Sequence, residues 1–185
     1  PACLLTVRYR GRENVMALGW ACPVSVAPPL LVMAIHPSCH THDLLARSEE
    51  CVLNVPGRPH AEQLVRCGSV SGAGANKLRE SGLTPAQARR VEAPWIEECL
   101  AHIECAVVER LNPGDHTIFV VEVVGAWAEE EAFAETWLVD DQQEDLLPLH
   151  HLGGGRFGLL GRSLRIGQDA DSDGTSPREN GQERQ

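Results

Sequence analysis

Short runs of β-branched and apolar residues, separated by Pro, Gly and Asn, recur along most of this chain and constrain its fold more than any other feature. They predict strands over residues 2–9, 14–20, 30–35, 51–55, 102–111, 116–127 and 147–152. The helical patterns are short and lie at residues 41–48, where Thr41 is the expected N-cap, 59–66 and 75–80. Because they do not alternate regularly with the strands, we predict a mainly β fold, a small closed barrel with short flanking helices.

Length and composition favour one folded domain. The chain has 185 residues, of which 43% are hydrophobic, and this is enough for a single sizeable core. We expect the domain to span residues 1–167. Residues 168–185 are almost entirely polar and cannot bury enough apolar surface to offset the entropy of ordering, so a disordered polar tail is predicted there.

The charge and the cysteines bear on partners and location. Lys and Arg number 16 against 26 Asp and Glu, a net charge of -10, which disfavours nucleic acid and anionic membrane surfaces as partners. An acidic stretch at residues 129–145 is either a solvated loop or a docking surface for a redox protein. Seven irregularly spaced cysteines, no run near the ~20 apolar residues of a membrane span and no recognisable leader favour a reduced cytoplasmic protein.

The segment HPSCHTH, residues 36–42, invites two interpretations. Its three histidines and one cysteine suggest a zinc site, but the chain lacks a second pair of ligands at the usual spacing, so no metal is expected. The loop leaves one predicted strand and enters a predicted helix. The helix N-terminus, the Thr41 hydroxyl and His40 therefore converge either on an anion such as phosphate or on ordinary helix capping.

Three further segments carry polar groups that suit a ligand. The stretch CGSVSGAGANKL, residues 67–78, combines hydroxyls, glycines and Lys77 without a nucleotide-binding glycine motif, so it is a ligand loop or a flexible loop. Asp115 and His116 follow an Asn-Pro-Gly turn, as a functional pair at a strand mouth or as a simple turn cap. His151 precedes a glycine triplet and is either a sheet-edge residue or a contact to a ligand or subunit.

The order of these motifs resembles the flavin reductase-like, FMN-binding split-barrel family over roughly residues 2–161, with its ferric reductase-like and flavoredoxin-like members. The matching segments are LLTV, ENVMALGWACPVSVAPPLLVMAI, HPSCHTHDLLARSEECVLNVP, CGSVSGAGANKL, GDHTIFVVEVV and HHLGGGRFG. The resemblance implies a split β-barrel, a homodimer, and FMN bound near the subunit boundary.

The resemblance also implies site residues. It puts Asn14, Val15 and Met16 beside the flavin, Gly19 and Trp20 behind its ring, and Ala34, Ile35 and His36 before the phosphate ligands His40 and Thr41, with Lys77 adding positive charge and His151 completing the cofactor-binding set. His116 would lie on the nicotinamide side, held by Asp115. Two departures from the family pattern stand out: His151 and Phe157 replace tyrosines, and Cys39 and His40 replace Arg or Ser.

The function implied is that of an FMN-dependent oxidoreductase, passing a hydride from NADH or NADPH to flavin and on to a small-molecule acceptor. The alternative is a flavoredoxin-like electron carrier that holds FMN without a nicotinamide site of its own and exchanges electrons with a protein partner.

Overall fold

The fold is known from a computed structural model that describes residues 1–140 and 142–164. The predicted disordered tail, residues 168–185, lies outside the described residues. Within them, the helices are α1 (His40–Ser48), α2 (Ala61–Ser69) and α3 (Lys77–Glu80), and two 3₁₀ turns span Arg58–His60 and Glu144–Leu146. None of the helices in this part of the chain is long and apolar enough to cross a membrane.

The described strands are β1 (Cys3–Tyr9), β2 (Arg12–Leu18), β3 (Ala21–Ser25), β4 (Leu30–Ile35), β5 (Glu50–Pro56), β6 (Pro85–Ala86), β7 (Trp95–Ile96), β8 (Cys99–Leu111), β9 (Thr117–Ala128), β10 (His150–Gly153) and β11 (Arg156–Gly158). Seven of them form one antiparallel sheet in the order β2-β1-β5-β8-β9-β4-β3. The prediction of a mainly β fold with short flanking helices is therefore confirmed.

The two ends of the sheet meet at one junction. The outermost strands β2 and β3 follow each other in the chain with only Gly19 and Trp20 between them. The Trp20 carbonyl accepts a hydrogen bond from the Ala34 backbone N–H at 3.0 Å, which fixes the junction to β4. The sheet therefore curls so that its first and last strands come together, as in a barrel that is not fully closed.

Side-chain alternation along β1 builds two cores. Leu5 and Val7 enter the barrel core, which α1 covers with Leu44 and Leu45. Leu4, on the opposite face, enters a second cluster that α2 covers. The two helices thus lie on opposite faces of the same strands, and this places the start of α1 and the end of α2 near β2.

Several predicted boundaries are wrong. The N-cap of α1 is Cys39, not Thr41, because the helix begins one residue earlier, at His40. Strand β3 was not expected because it contains Pro23, yet it is an edge strand, where a missing N–H is tolerated. The strand expected at residues 147–152 is instead β10, which pairs only with β11 in a separate hairpin.

Candidate functional site

A polar cleft of about 190 Å³ opens where β2, the start of α1 and the end of α2 meet. Its lining combines hydroxyl, thiol, imidazole, amide and ammonium groups: Asn14, Met16, Ala17, Ser38, Cys39, His40, Thr41, Cys67, Gly68, Ser69, Val70, Ser71, Gly72 and Lys77. Two segments that the sequence left ambiguous, residues 36–42 and 67–78, therefore face each other across one cavity.

Asn14 is the most constrained polar residue of the cleft. It is only 3% exposed, and its Nδ2 donates a hydrogen bond to Thr41 Oγ1 at 2.7 Å. Its Oδ1 is buried without a protein partner. An unpaired buried acceptor costs about 1–3 kcal/mol, so this atom marks a position that a hydrogen-bond donor would fill. Its neighbour Val15 points the other way, into the second core, and offers only backbone to the cleft.

The glycine-rich loop after α2 forms the opposite wall. A Cβ atom built on Gly72 would lie 2.0 Å from Asn14 Oδ1, so only glycine lets the backbone pass this close. The same construction on Gly74 meets nothing within 4 Å. The loop therefore has a specific contact with the site at Gly72 and open space two residues later.

Lys77 brings a cation into the cleft wall. Its Nζ donates to the Cys67 carbonyl at 2.8 Å, and the side chain is buried. Burial lowers the pKa of Lys77, while the nearby thiols of Cys67 and Cys39 act in the opposite direction. A buried ammonium beside the N-terminus of α1 makes this cavity suited to an anion such as a phosphate.

The histidines of residues 36–42 do not converge on one point. Among the described residues no group of three or more His, Cys, Asp or Glu side chains is arranged to hold a metal ion. His40 lines the cleft. His36 and His42 make separate contacts, described next.

A second cluster of rings lies at the mouth of β9. His116 packs on Trp20 with ring centroids 4.8 Å apart, and His36 meets His116 edge-on at 5.1 Å. His116 Nδ1 and Asp115 Oδ1 are 2.8 Å apart. Because a carboxylate can only accept, Nδ1 carries the proton and Nε2 remains for another partner. This hydrogen bond lowers the pKa of Asp115. Trp20 is 63% exposed, so the cluster is open to a ligand.

His36 connects the ring cluster to the cleft. Its Nδ1 lies 2.8 Å from the Ser38 hydroxyl, and Ser38 lines the cleft. Of its predicted companions, Ile35 is buried in the barrel core, whereas Ala34 lines a shallow hollow with Gly19 and Trp20. The side chains of Val15 and Ile35 are therefore structural, and any contact they make with a ligand is through the backbone.

One polar chain was missed by the sequence analysis. His42 Nε2 lies 2.9 Å from Thr117 Oγ1, which donates to Asn112 Oδ1 at 2.8 Å. These bonds tie α1 to the turn that carries His116. Their members are 75 residues apart in the chain, so no local pattern could have revealed them. Burial lowers the pKa of His42, which favours the neutral ring.

His151 lies on the far side of the cleft from the ring cluster residues of β9. Its ring is 5.4 Å from that of Phe157, across the β10–β11 hairpin. A Cβ on Gly19 would lie 3.8 Å from His151 Nδ1, so the β2–β3 junction and this hairpin are in contact distance. Together these residues line a separate groove beside the cleft.

The model of the flavin reductase like domain matches residues 1–155. A protein of Archaeoglobus fulgidus is 39% identical over 61% of this chain and 64% of its own length, so the chain spans under two thirds of that relative. A Rhodococcus opacus protein, the reductase component of 4-nitrophenol 4-monooxygenase/4-nitrocatechol 2-monooxygenase, is 30% identical over 55% of this chain and 51% of its own length.

Solved structures show the same fold. An FMN-binding domain of a flavin reductases-like enzyme from Shewanella baltica superposes with a TM-score of 0.84 at 31% identity, covering 90% of this chain and 89% of its own. Flavoredoxin from Methanosarcina acetivorans gives a TM-score of 0.77 at 29% identity, over 92% of this chain and 89% of its own. These similarities confirm the split-barrel prediction.

Proposed function

Because the chain belongs to the flavin reductase-like domain family, we propose that it binds FMN and catalyses hydride transfer from NADH or NADPH, through the flavin, to a small-molecule acceptor. The observation that carries this proposal is a continuous path from an anion-binding cleft to a cluster of rings. Thr41 and Lys77 line the cleft, His36 contacts Ser38 at its rim, and His116 lies against both His36 and Trp20.

The residues present fit FMN. The start of α1, the Thr41 hydroxyl and the Lys77 ammonium suit its phosphate group. The unpaired Oδ1 of Asn14 needs a donor, which a ribityl hydroxyl supplies and a phosphate dianion does not. Trp20 and His36 supply flat surfaces for a ring system at the other end of the path.

FMN, when bound, supplies the hydride-accepting chemistry, and the protein supplies binding and orientation. In this proposal His116 is the catalytic residue on the nicotinamide side. Asp115 and Trp20 hold its ring, and the free Nε2 is left to orient the donor or to stabilise charge as the hydride moves. The bond chain through His42 and Thr117 positions the turn that carries it.

The decisive test is the visible absorption spectrum of the purified protein under anaerobic conditions, before and after NADH and then NADPH. Flavin bands that bleach promptly are expected, and the faster donor identifies the preferred nicotinamide. If no flavin bands appear even after reconstitution with FMN, the proposal is wrong.

The second candidate is a flavoredoxin-like electron carrier, favoured by the similarity to the Methanosarcina acetivorans flavoredoxin. A carrier binds FMN but lacks a nicotinamide site, so its flavin bands would persist with NADH and NADPH and bleach only with a reduced protein partner. Steady-state oxidation of NADH with added FMN separates the two candidates, since only the reductase turns over above the uncatalysed rate.

The proposal includes a homodimer. The edge strand β3 and the residue after it expose Val24 and Val26, the latter at 93%, beside the open Trp20. Exposed apolar side chains on an unpaired sheet edge support a second copy of the chain as the covering partner. Sedimentation equilibrium is expected to give twice the chain mass, and Val26→Glu is expected to shift it towards the monomer.

A further inference from the structure

An apolar groove of about 320 Å³ adjoins the polar cleft and has no part in the chemistry described above. It lies between α2, the end of β2 and the β10–β11 hairpin. Its lining is Ala2, Ala17, Leu18, Gly19, Leu64, Val65, Gly68, Ser69, His151, Gly155 and Phe157. Ala17, Gly68 and Ser69 also line the cleft, so the two cavities are continuous.

The chemistry of the groove differs sharply from that of the cleft. Within the described part of the chain, the groove lining contains no Lys, Arg, Asp or Glu. Its walls are mostly aliphatic, with the ring of Phe157 on one side, and His151 is the one titratable side chain. Small-molecule sites have this character, an apolar cavity of ~300 Å³ or more with few polar groups that fix orientation. A charged ligand would lose its hydration there without an opposite charge to replace it.

The shape of the hairpin favours a flat ligand. The rings of His151 and Phe157 face each other at 5.4 Å and 50°. Gly153, Gly154 and Gly155 all have positive φ, so the turn between these rings follows a path that favours glycine. An imidazole at the edge of an aromatic-lined cavity can donate a hydrogen bond to a carbonyl oxygen of a ligand packed against the ring.

The groove also lies close to the proposed flavin position. Gly19 lines the groove and precedes Trp20, whose ring belongs to the cluster around His116. A ligand in the groove is thus adjacent to the β2–β3 junction, behind which the flavin ring is proposed to lie.

We infer that this groove binds the electron acceptor, and that the acceptor is a neutral planar carbonyl compound of the quinone class. The inference rests on the proposed function and narrows its acceptor. In the overall reaction NAD(P)H is oxidised to NAD(P)⁺, and the quinone gains the two electrons and one proton of the hydride. A second proton from water completes the hydroquinone. Anionic acceptors, such as iron chelates and sulfonated compounds, are disfavoured by the uncharged walls.

The test is binding of duroquinone to the cofactor-free protein, measured by calorimetry. This quinone is fully substituted and does not add to the cysteine thiols. Val65→Glu is the main variant because Val65 is 46% exposed, so the change puts a charge in the groove without disturbing the core. Val108→Glu, at 52% exposure on β8, is the matched control. Phe157→Ala removes the aromatic wall.

Duroquinone is expected to bind the wild-type protein and Val108→Glu equally, and Val65→Glu and Phe157→Ala at least about tenfold more weakly. Anthraquinone-2-sulfonate is expected to bind wild type poorly and Val65→Lys better. Equal duroquinone affinity in Val65→Glu and Val108→Glu, or no binding to wild type, overturns the inference. An FMN titration of the same proteins is independent: normal FMN binding with no quinone binding refutes the acceptor site alone, and absent FMN binding refutes the proposed function.

Discussion

The side-chain amide of Asn14 on β2 donates a hydrogen bond to the hydroxyl of Thr41 in the first turn of α1, over 2.7 Å between Nδ2 and Oγ1. The bond joins a barrel strand to the helix whose N-terminus faces the cleft. The other amide atom, Oδ1, is buried without a partner. In the absence of a ligand the protein therefore keeps a polar group whose burial is unfavourable, as expected of a binding residue.

Replacing Asn14 with Leu is expected to separate cofactor affinity from stability. The change removes one hydrogen bond but also the unpaired Oδ1, so the free energy of unfolding of the cofactor-free protein should change by less than about 1 kcal/mol. FMN affinity should fall at least about tenfold because its donor loses an acceptor. Urea unfolding and FMN fluorescence titration measure the two effects.

Thr41→Val is the comparison for that prediction. It leaves Asn14 Nδ2 unpaired as well, so it should destabilise the cofactor-free protein by about 1–2 kcal/mol. Wild-type FMN affinity in Asn14→Leu would show that Oδ1 does not face the cofactor.

Gly72→Ala is expected to weaken FMN binding through steric displacement. The new Cβ would lie 2.0 Å from Asn14 Oδ1, so the loop or the amide must move. Gly74→Ala in the same loop is the control, because its Cβ meets nothing within 4 Å. The FMN dissociation constants of the two variants are the measurement, and equal values would mean that the contact at Gly72 does not shape the site.

His116→Ala is expected to slow flavin reduction by NADH or NADPH more than it weakens FMN binding. The reason is that His116 belongs to the open ring cluster and not to the cleft lining. Stopped-flow reduction at saturating FMN, set beside the FMN dissociation constant, separates the effects. His151→Ala is the histidine control, since its ring lies in the neighbouring groove.

Asp115→Asn should give a smaller loss than His116→Ala, because it keeps the side-chain shape while removing the carboxylate that fixes the imidazole. Equal losses of FMN affinity and of reduction rate in His116→Ala would contradict a role on the nicotinamide side.

The buried His102 is expected to make the protein less stable in mild acid. Its Nδ1 donates to Asn54 Oδ1 at 2.9 Å, its ring stacks on Trp95, and burial lowers the pKa of His102 to about 4 from a model value of 6.5. Between these values the unfolded chain binds the proton and the folded chain does not. Stability is therefore expected to fall by up to about 3 kcal/mol as the pH drops from 6.5 to 4, and then to level off for this group.

Urea unfolding across this pH range measures the effect. His102→Gln keeps a donor for Asn54 and removes the titration, so its stability should depend less on pH over the same window. A parallel pH dependence in both proteins would assign the acid sensitivity to other groups.

Much of the fold was predictable because it depends on local patterns. The β-branched runs predicted most strands of the sheet, and the absence of long alternating helices ruled out a doubly wound sheet. The errors lie where local rules conflict with tertiary placement. Pro23 argues against a strand except at an edge, and residues 147–152 have strand composition but pair only within a hairpin.

Of the site, the sequence by itself determined the chemical groups: the histidines of residues 36–42, Lys77, and the Asp115–His116 pair at a strand mouth. The tertiary structure alone decided which of them meet. It sorted Asn14 to the cleft and Val15 to the core, because side chains alternate across a strand. It also brought Gly72 against Asn14 and His42 against Thr117, contacts between distant segments that exist only after the sheet has curled and the helices have packed on it.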